Sequence, residues 1–191
     1  FMSSFGVQYY FLAVYYQQVY GYSVLQAGLA FLPATLVCTA GIWLAERSLA
    51  RLGLRTTLVS GQLAGAVGIA LVCVALPTGA GFWSLLPGIF ILSIGQGMTW
   101  TAMWVAAGLG IRPGEQGVAA GMASTSQQIG GALGLALLVS LANSGGSTGA
   151  AQAGGIELAL WWSAAIALVG AVLALALKER AIESDAISAA T

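Results

Sequence analysis

The chain has 191 residues, six basic and six acidic, no histidine, and a formal net charge of zero. Hydrophobic residues make up 59% and charged residues 6%, against about 25% charged in soluble globular proteins, and the mean hydropathy is +0.90. This is the composition of an all-α integral membrane protein. A neutral chain with no basic run interleaved with aromatics also lacks the footprint that nucleic acid requires.

A helix needs about 20 apolar residues to cross about 30 Å of hydrocarbon, and six charge-poor windows of that length follow one another. The first, 1–20, meets the second, 24–45, at a tight turn of Gly21, Tyr22 and Ser23. A short basic loop, 45–55, carries Arg47, Arg51, Gly53 and Arg55. The third window, 56–76, ends at Pro77 and a turn over 78–81. The fourth, 82–107, has Pro87 in its early turns and is broken by Arg112, Pro113, Gly114 and Glu115. The fifth, 116–142, is rich in glycine and hydroxyl residues, and a weakly polar loop, 143–155, separates it from the sixth, 158–177. Lys178, Glu179 and Arg180 stop the last span. The expected organisation is a six-helix bundle over 1–177 and a tail over 178–191.

If the spans alternate, Arg47, Arg51, Arg55, Arg112, Lys178 and Arg180 all fall on one side, and the opposite loops hold no Lys or Arg. Positive residues gather in short cytoplasmic loops, so that side and both chain ends are expected in the cytoplasm of a multi-pass cell-membrane protein. The chain opens directly on an apolar span at Phe1, without the features of a signal peptide, and reads as part of a longer protein. Cys38 and Cys73 fall inside spans as small apolar fillers. Two cysteines without histidine make no metal ligand set, and no cofactor is expected.

No charge lies in the middle of any span. Glu46, Glu115 and Glu157 sit at span ends, so a carboxylate that carried protons across the membrane would belong to residues outside this chain. The spans hold uncharged polar and aromatic stripes instead. In the fourth, Gln96, Thr99, Trp100, Met103 and Trp104 share a helical face; in the first, Gln8, Leu12, Tyr15 and Tyr16 do so, with Gln17 following. Amides and large rings on one stripe suit a cavity for lipophilic or delocalised cationic compounds. Plain packing serves Trp100 and Trp104 equally well, while Tyr20, Tyr22, Phe82 and Trp83 fit interfacial anchors. In the fifth span Gly117 and Gly121, and Gly130 and Gly134, lie one turn apart and mark a packing face, as do Gly61 and Gly65 in the third. Between them Ser124, Gln127 and Gln128 need partners or a wet cavity, and Gln128 fits either use.

Several stretches carry a family resemblance. Gln17-Gln18-Val19-Tyr20-Gly21-Tyr22-Ser23, followed by Leu25-Gln26-Ala27-Gly28-Leu29-Ala30-Phe31-Leu32-Pro33, resembles the helix-turn-helix that opens the C-terminal half of major facilitator transporters. The likeness is to the fourteen-helix drug:proton antiporter branch typified by EmrB and QacA. Arg51-Leu52-Gly53-Leu54-Arg55 is similar to the family's cytoplasmic loop signature, with Ala50 where an acidic residue would precede the Arg. Gly117 to Gly121 and Gln127 to Gly134 look like its glycine-rich eleventh core helix. The resemblance implies the C-terminal six-helix bundle of an efflux carrier, partnered by a missing N-terminal half. It also implies lipophilic substrates, coupling to protons and a central cavity lined by the first, second, fourth and fifth helices.

Catalysis is the poorer expectation. Serine-type proteolysis needs a base such as histidine, and aspartyl-type needs two membrane aspartates, whereas the single Asp185 lies in the tail. A half-size carrier that dimerises, or a non-transporting membrane scaffold, is the alternative to the fragment.

Overall fold

The computed structural model describes residues 1–76, 81–112, 114–143 and 149–176, and every regular element among them is helical. Pro77 and 78–80, Pro113, 144–148, and the stop Lys178-Glu179-Arg180 with the tail 178–191 lie outside the described residues.

A π-helical turn, Met2–Gly6, leads into α1, Val7–Gln18. The chain reverses at Gly21, whose φ of 68° is in the left-handed region. Ser23 then caps α2, Val24–Ala30. Ser23 Oγ accepts from the Gln26 backbone N–H at 3.3 Å, and Gln26 Oε1 accepts from the Ser23 N–H at 2.9 Å. This reciprocal capping box satisfies two donors that a helix start would otherwise leave orphaned. A turn at Phe31 joins α2 to α3, Leu32–Ala75.

The basic stretch 45–55, expected as a loop, is helical at every residue except Gly53, which has φ 81° and ψ 173°. One glycine therefore makes the break, because a residue without Cβ enters that region freely. Arg47 and Arg51 lie on the first arm of α3, 32–52, and Arg55 opens the second, 54–75. Thr57 braces the break: its hydroxyl donates to the Gly53 carbonyl at 2.8 Å and shares a second 2.8 Å bond with the Ser48 hydroxyl. On the first arm the Arg47 guanidinium sits 3.4 Å from the Trp43 ring centroid, a cation–π contact.

The helix α4, Phe82–Gly108, packs into the crook of α3. A Cβ on Gly41 of the first arm would come within 2.5 Å of the Ile94 carbonyl, and one on Gly61 of the second arm within 2.7 Å of Thr99 Oγ1. Gly95 and Gly97 of α4 approach the backbones of Gly65 and Cys38 just as closely. Both arms thus meet the same stretch of α4, which requires the chain to fold back at Gly53. Lipid offers no hydrophobic drive between helices, so contact at this range, permitted only by glycine, is what holds the three segments together.

The helices α5, Gln116–Asn143, and α6, Gly149–Leu175, complete the bundle. The expected loop 143–155 is shorter than the sequence suggested, since α6 is already helical at Gly149. Its first turns are rich in alanine, the best helix former, and Gly155 lies against the Ala142 carbonyl, drawing α6 onto the end of α5. The stretches Val24–Ala75, Phe82–Gly108, Gln116–Asn143 and Ala153–Leu175 are long and apolar enough to cross a membrane. The first of them is divided by Gly53, and α1, at 12 residues, is shorter.

At one end of the bundle Tyr15, Tyr16, Tyr20, Tyr22, Phe31 and Phe82 form a ring cluster, with centroids 5.2 to 6.2 Å apart. Tyr20, Tyr22 and Phe82, expected as interfacial anchors, pack into this cluster, whereas Trp83 is 79% exposed. The bundle core continues through Phe5, Phe11, Ile69, Leu85, Leu138 and Leu160.

Candidate substrate cavity

An open cavity of about 330 Å³ lies between α1, α4 and α5. The N-terminal turn contributes Phe1, Met2 and Gly6; α1 contributes Val7, Tyr9 and Tyr10; α4 contributes Gln96 and Trp100; and α5 contributes Gly131 and Leu135. Its polar side chains are Tyr10 and one bonded pair, in which the Tyr9 hydroxyl donates to Gln96 Oε1 at 2.8 Å. Its walls are aromatic. Trp100 tilts against Phe1 at 5.6 Å and meets Trp104 edge-on at 5.9 Å. No charged side chain lines it, so a bound molecule would be held by ring contacts and a few hydrogen bonds.

The polar stripe expected in the first span turns the other way. Gln8, Leu12, Tyr15 and Tyr16 are all buried in the bundle, and Tyr15 donates to the Leu76 carbonyl at 3.1 Å. Tyr9 and Tyr10, one residue round the helix, are the ones that face the cavity. The helical period marked both faces. What selects between them is the rest of the bundle closing over the Gln8 face, α6 and α2 against α1 and Ala34, Ile89, Leu92 and Ser93 around the void that Gln8 and Leu12 line, a tertiary fact that α1 alone does not encode.

Among the remaining candidates, Gln96 and Trp100 reach the cavity and Thr99 does not. Thr99 is 1% exposed, faces α3 at Gly61, and donates to the Gly95 carbonyl at 2.8 Å. Met103 receives the Gln127 amide at 3.4 Å, tying α4 to α5. Trp104 lines a separate cleft of about 200 Å³ with Gly108, Gln116 and Ala120. Gln17 is exposed at the end of α1.

On α5, Gly130 and Gly134 pack against the N-terminal turn: Ser3 donates to the Gly130 carbonyl at 2.5 Å, and a Cβ on Gly134 would fall 2.5 Å from Ser3 Cα. Gly117 and Gly121 have no atom within 4 Å of a Cβ built on them, and Ser124 and Gln128 are exposed. The expected packing face is therefore divided, with only its C-terminal half in contact with this chain. The buried residues of α5 are Gly134, Leu138 and Ala142, all in that half.

A cavity walled by rings and amides, in a bundle of glycine-packed apolar helices, agrees with what is found among known proteins. Residues 1–135 match the Major Facilitator Superfamily. The chain belongs to that family. It is accordingly a multi-pass membrane chain of a transporter family and not an enzyme. The chain is 33% identical over 144 residues to the cephamycin export protein of Amycolatopsis lactamdurans, covering 75% of this chain and 30% of that protein. It is 34% identical over 189 residues to the puromycin resistance protein of Streptomyces alboniger, covering 91% of this chain and 38% of that protein. The chain thus spans about a third of the length of either relative.

Proposed function

We propose that this chain is the C-terminal six-helix bundle of a fourteen-helix drug:proton antiporter, and that the complete carrier exports lipophilic or cationic compounds by alternating access. The observation that carries the reading is the open aromatic cavity at Tyr9, Tyr10, Gln96 and Trp100, lined by no charged side chain, beside an α5 that leaves Gly117, Gly121, Ser124 and Gln128 uncovered. An N-terminal bundle set against that side would close the cavity and give α5 a partner. Export of a cephamycin by one relative and resistance to puromycin in another support a drug-like cargo. Proton coupling would use carboxylates of the other bundle, since the cavity offers none here. Arg47, Arg51 and Arg55 hold the Gly53 break of α3 at the cytoplasmic surface.

The test is efflux of a fluorescent lipophilic cation from cells that express the intact protein. The reading expects extrusion that stops when an uncoupler collapses the proton gradient. Extrusion indifferent to the gradient, or none above the vector control, would refute it.

A further inference from the structure

The Tyr9–Gln96 pair borders two spaces. On one side is the open cavity; on the other is a narrower, less open void of about 10 Å³ between α1, the Phe31 turn and α4. Besides that pair, the void is lined by Gln8, Leu12, Tyr16, Phe31, Ala34 and Ser93, among others. Its volume is close to the minimum of about 10–15 Å³ that holds one water.

Two of its lining residues carry polar atoms with nothing to bond. Gln8 Nε2 and Tyr16 Oη are buried and have no hydrogen-bond partner among the described residues, on side chains that are 3% and 0% exposed. Buried donors are almost always satisfied, and inside a membrane no bulk water is available to do it. Two other residues that line the void carry acceptors. Gln96 Oε1 accepts from Tyr9, and a carbonyl oxygen has a second lone pair. Ser93 Oγ donates to the Ile89 carbonyl at 2.7 Å and keeps its own lone pairs.

We propose that this void is a binding site for a single ordered water, which accepts from Gln8 Nε2 and Tyr16 Oη and donates to Gln96 Oε1 and Ser93 Oγ. Four partners are what a buried water can use. The site joins α1 to α4 through a hydrogen-bond network in an otherwise apolar core, and it backs the polar end of the cavity. Tyr9 and Gln96 form the partition between the two, so breaking their bond opens the site to the cavity. The inference rests on the void and its unpaired donors and is independent of which compound the cavity takes.

Radiolytic hydroxyl labelling of the intact, membrane-embedded protein tests it, because a short X-ray pulse makes radicals from bound water and marks the side chains beside it. Tyr15 and Tyr16 are both buried, but the Tyr15 hydroxyl is bonded to a carbonyl. The expected result is modification of Tyr16 with Tyr15 left unmarked; a Tyr16 as silent as Tyr15 overturns the proposal. The sign of a stability change gives a second reading. Tyr16→Phe keeps the ring contacts and removes the hydroxyl. With water present it breaks satisfied bonds and lowers the Tm, whereas in a dry void it removes an unpaired polar group. A Tm that is unchanged or raised overturns the proposal.

Discussion

Replacing Trp100 by alanine separates a cavity wall from a packing residue. The indole is 37% exposed and touches other rings only at Phe1 and Trp104, so its loss leaves the α3–α4 seam intact. A bound aromatic compound loses a ring contact of roughly 0.5–1.5 kcal/mol. It also loses about 40 Å² of apolar cover, or about 1 kcal/mol at 25 cal/mol per Å². Together these predict roughly ten- to sixtyfold weaker binding of aromatic cations, with a smaller loss for aliphatic ones and normal expression. Equilibrium binding of a fluorescent aromatic cation to the purified intact protein measures the effect, and the neighbouring residue is the control. Thr99 faces α3 rather than the cavity, so Thr99→Val lowers the Tm and leaves affinity unchanged. Wild-type affinity in Trp100→Ala, or equal losses in the two variants, would refute the reasoning.

Gly95→Val drives a branched side chain into Gly65, where a Cβ already falls 2.6 Å from the Gly61 carbonyl. It costs at least the roughly 1–3 kcal/mol of an overpacked core, which is read as a lowered Tm and reduced membrane yield. Gly53→Ala forces a Cβ into a backbone region, φ 81° with ψ 173°, that essentially only glycine occupies, and costs roughly 1–3 kcal/mol; Gly53→Asn is destabilised to a similar degree, because ψ lies outside the αL well that asparagine tolerates, and thermal unfolding measures both. Gln128→Ala lies where α5 has no partner in this chain, so it leaves expression unchanged and alters the drug-resistance profile of cells carrying the intact protein. Unchanged resistance to every compound tested removes Gln128 from the substrate path.

The class of the protein and most of its helices were legible because hydropathy acts over about 20 residues and no soluble fold tolerates such windows. At Ser23 only the tight turn was read, whereas the structure adds a capping box with Gln26 three residues on. The basic break was located but misjudged in form. A run of three arginines looks like a loop, although arginine is a good helix former and only Gly53 departs from helix. The start of α6 was missed for a similar reason, since a polar, glycine-containing stretch is also an alanine-rich one. Of the α4 stripe singled out in the sequence, Gln96 and Trp100 lie on the cavity wall. Tyr9 and Tyr10 were passed over for Gln8, Tyr15 and Tyr16 on the assumption that an amide faces a cavity. Here the amide is buried beside a void, and the side that the rest of the bundle would cover had to be known before the open side could be named.

The most direct test of the account is whether a transported compound occupies the cavity. In the intact protein with Cys38 and Cys73 replaced by alanine, Tyr10→Cys places a thiol on the cavity wall and Trp83→Cys places one on the outer surface of α4. Maleimide labelling is then timed with and without substrate. The account predicts that substrate slows labelling at Tyr10→Cys and leaves Trp83→Cys unaffected. Equal rates at Tyr10→Cys in the presence and absence of a compound the protein is known to export would contradict it.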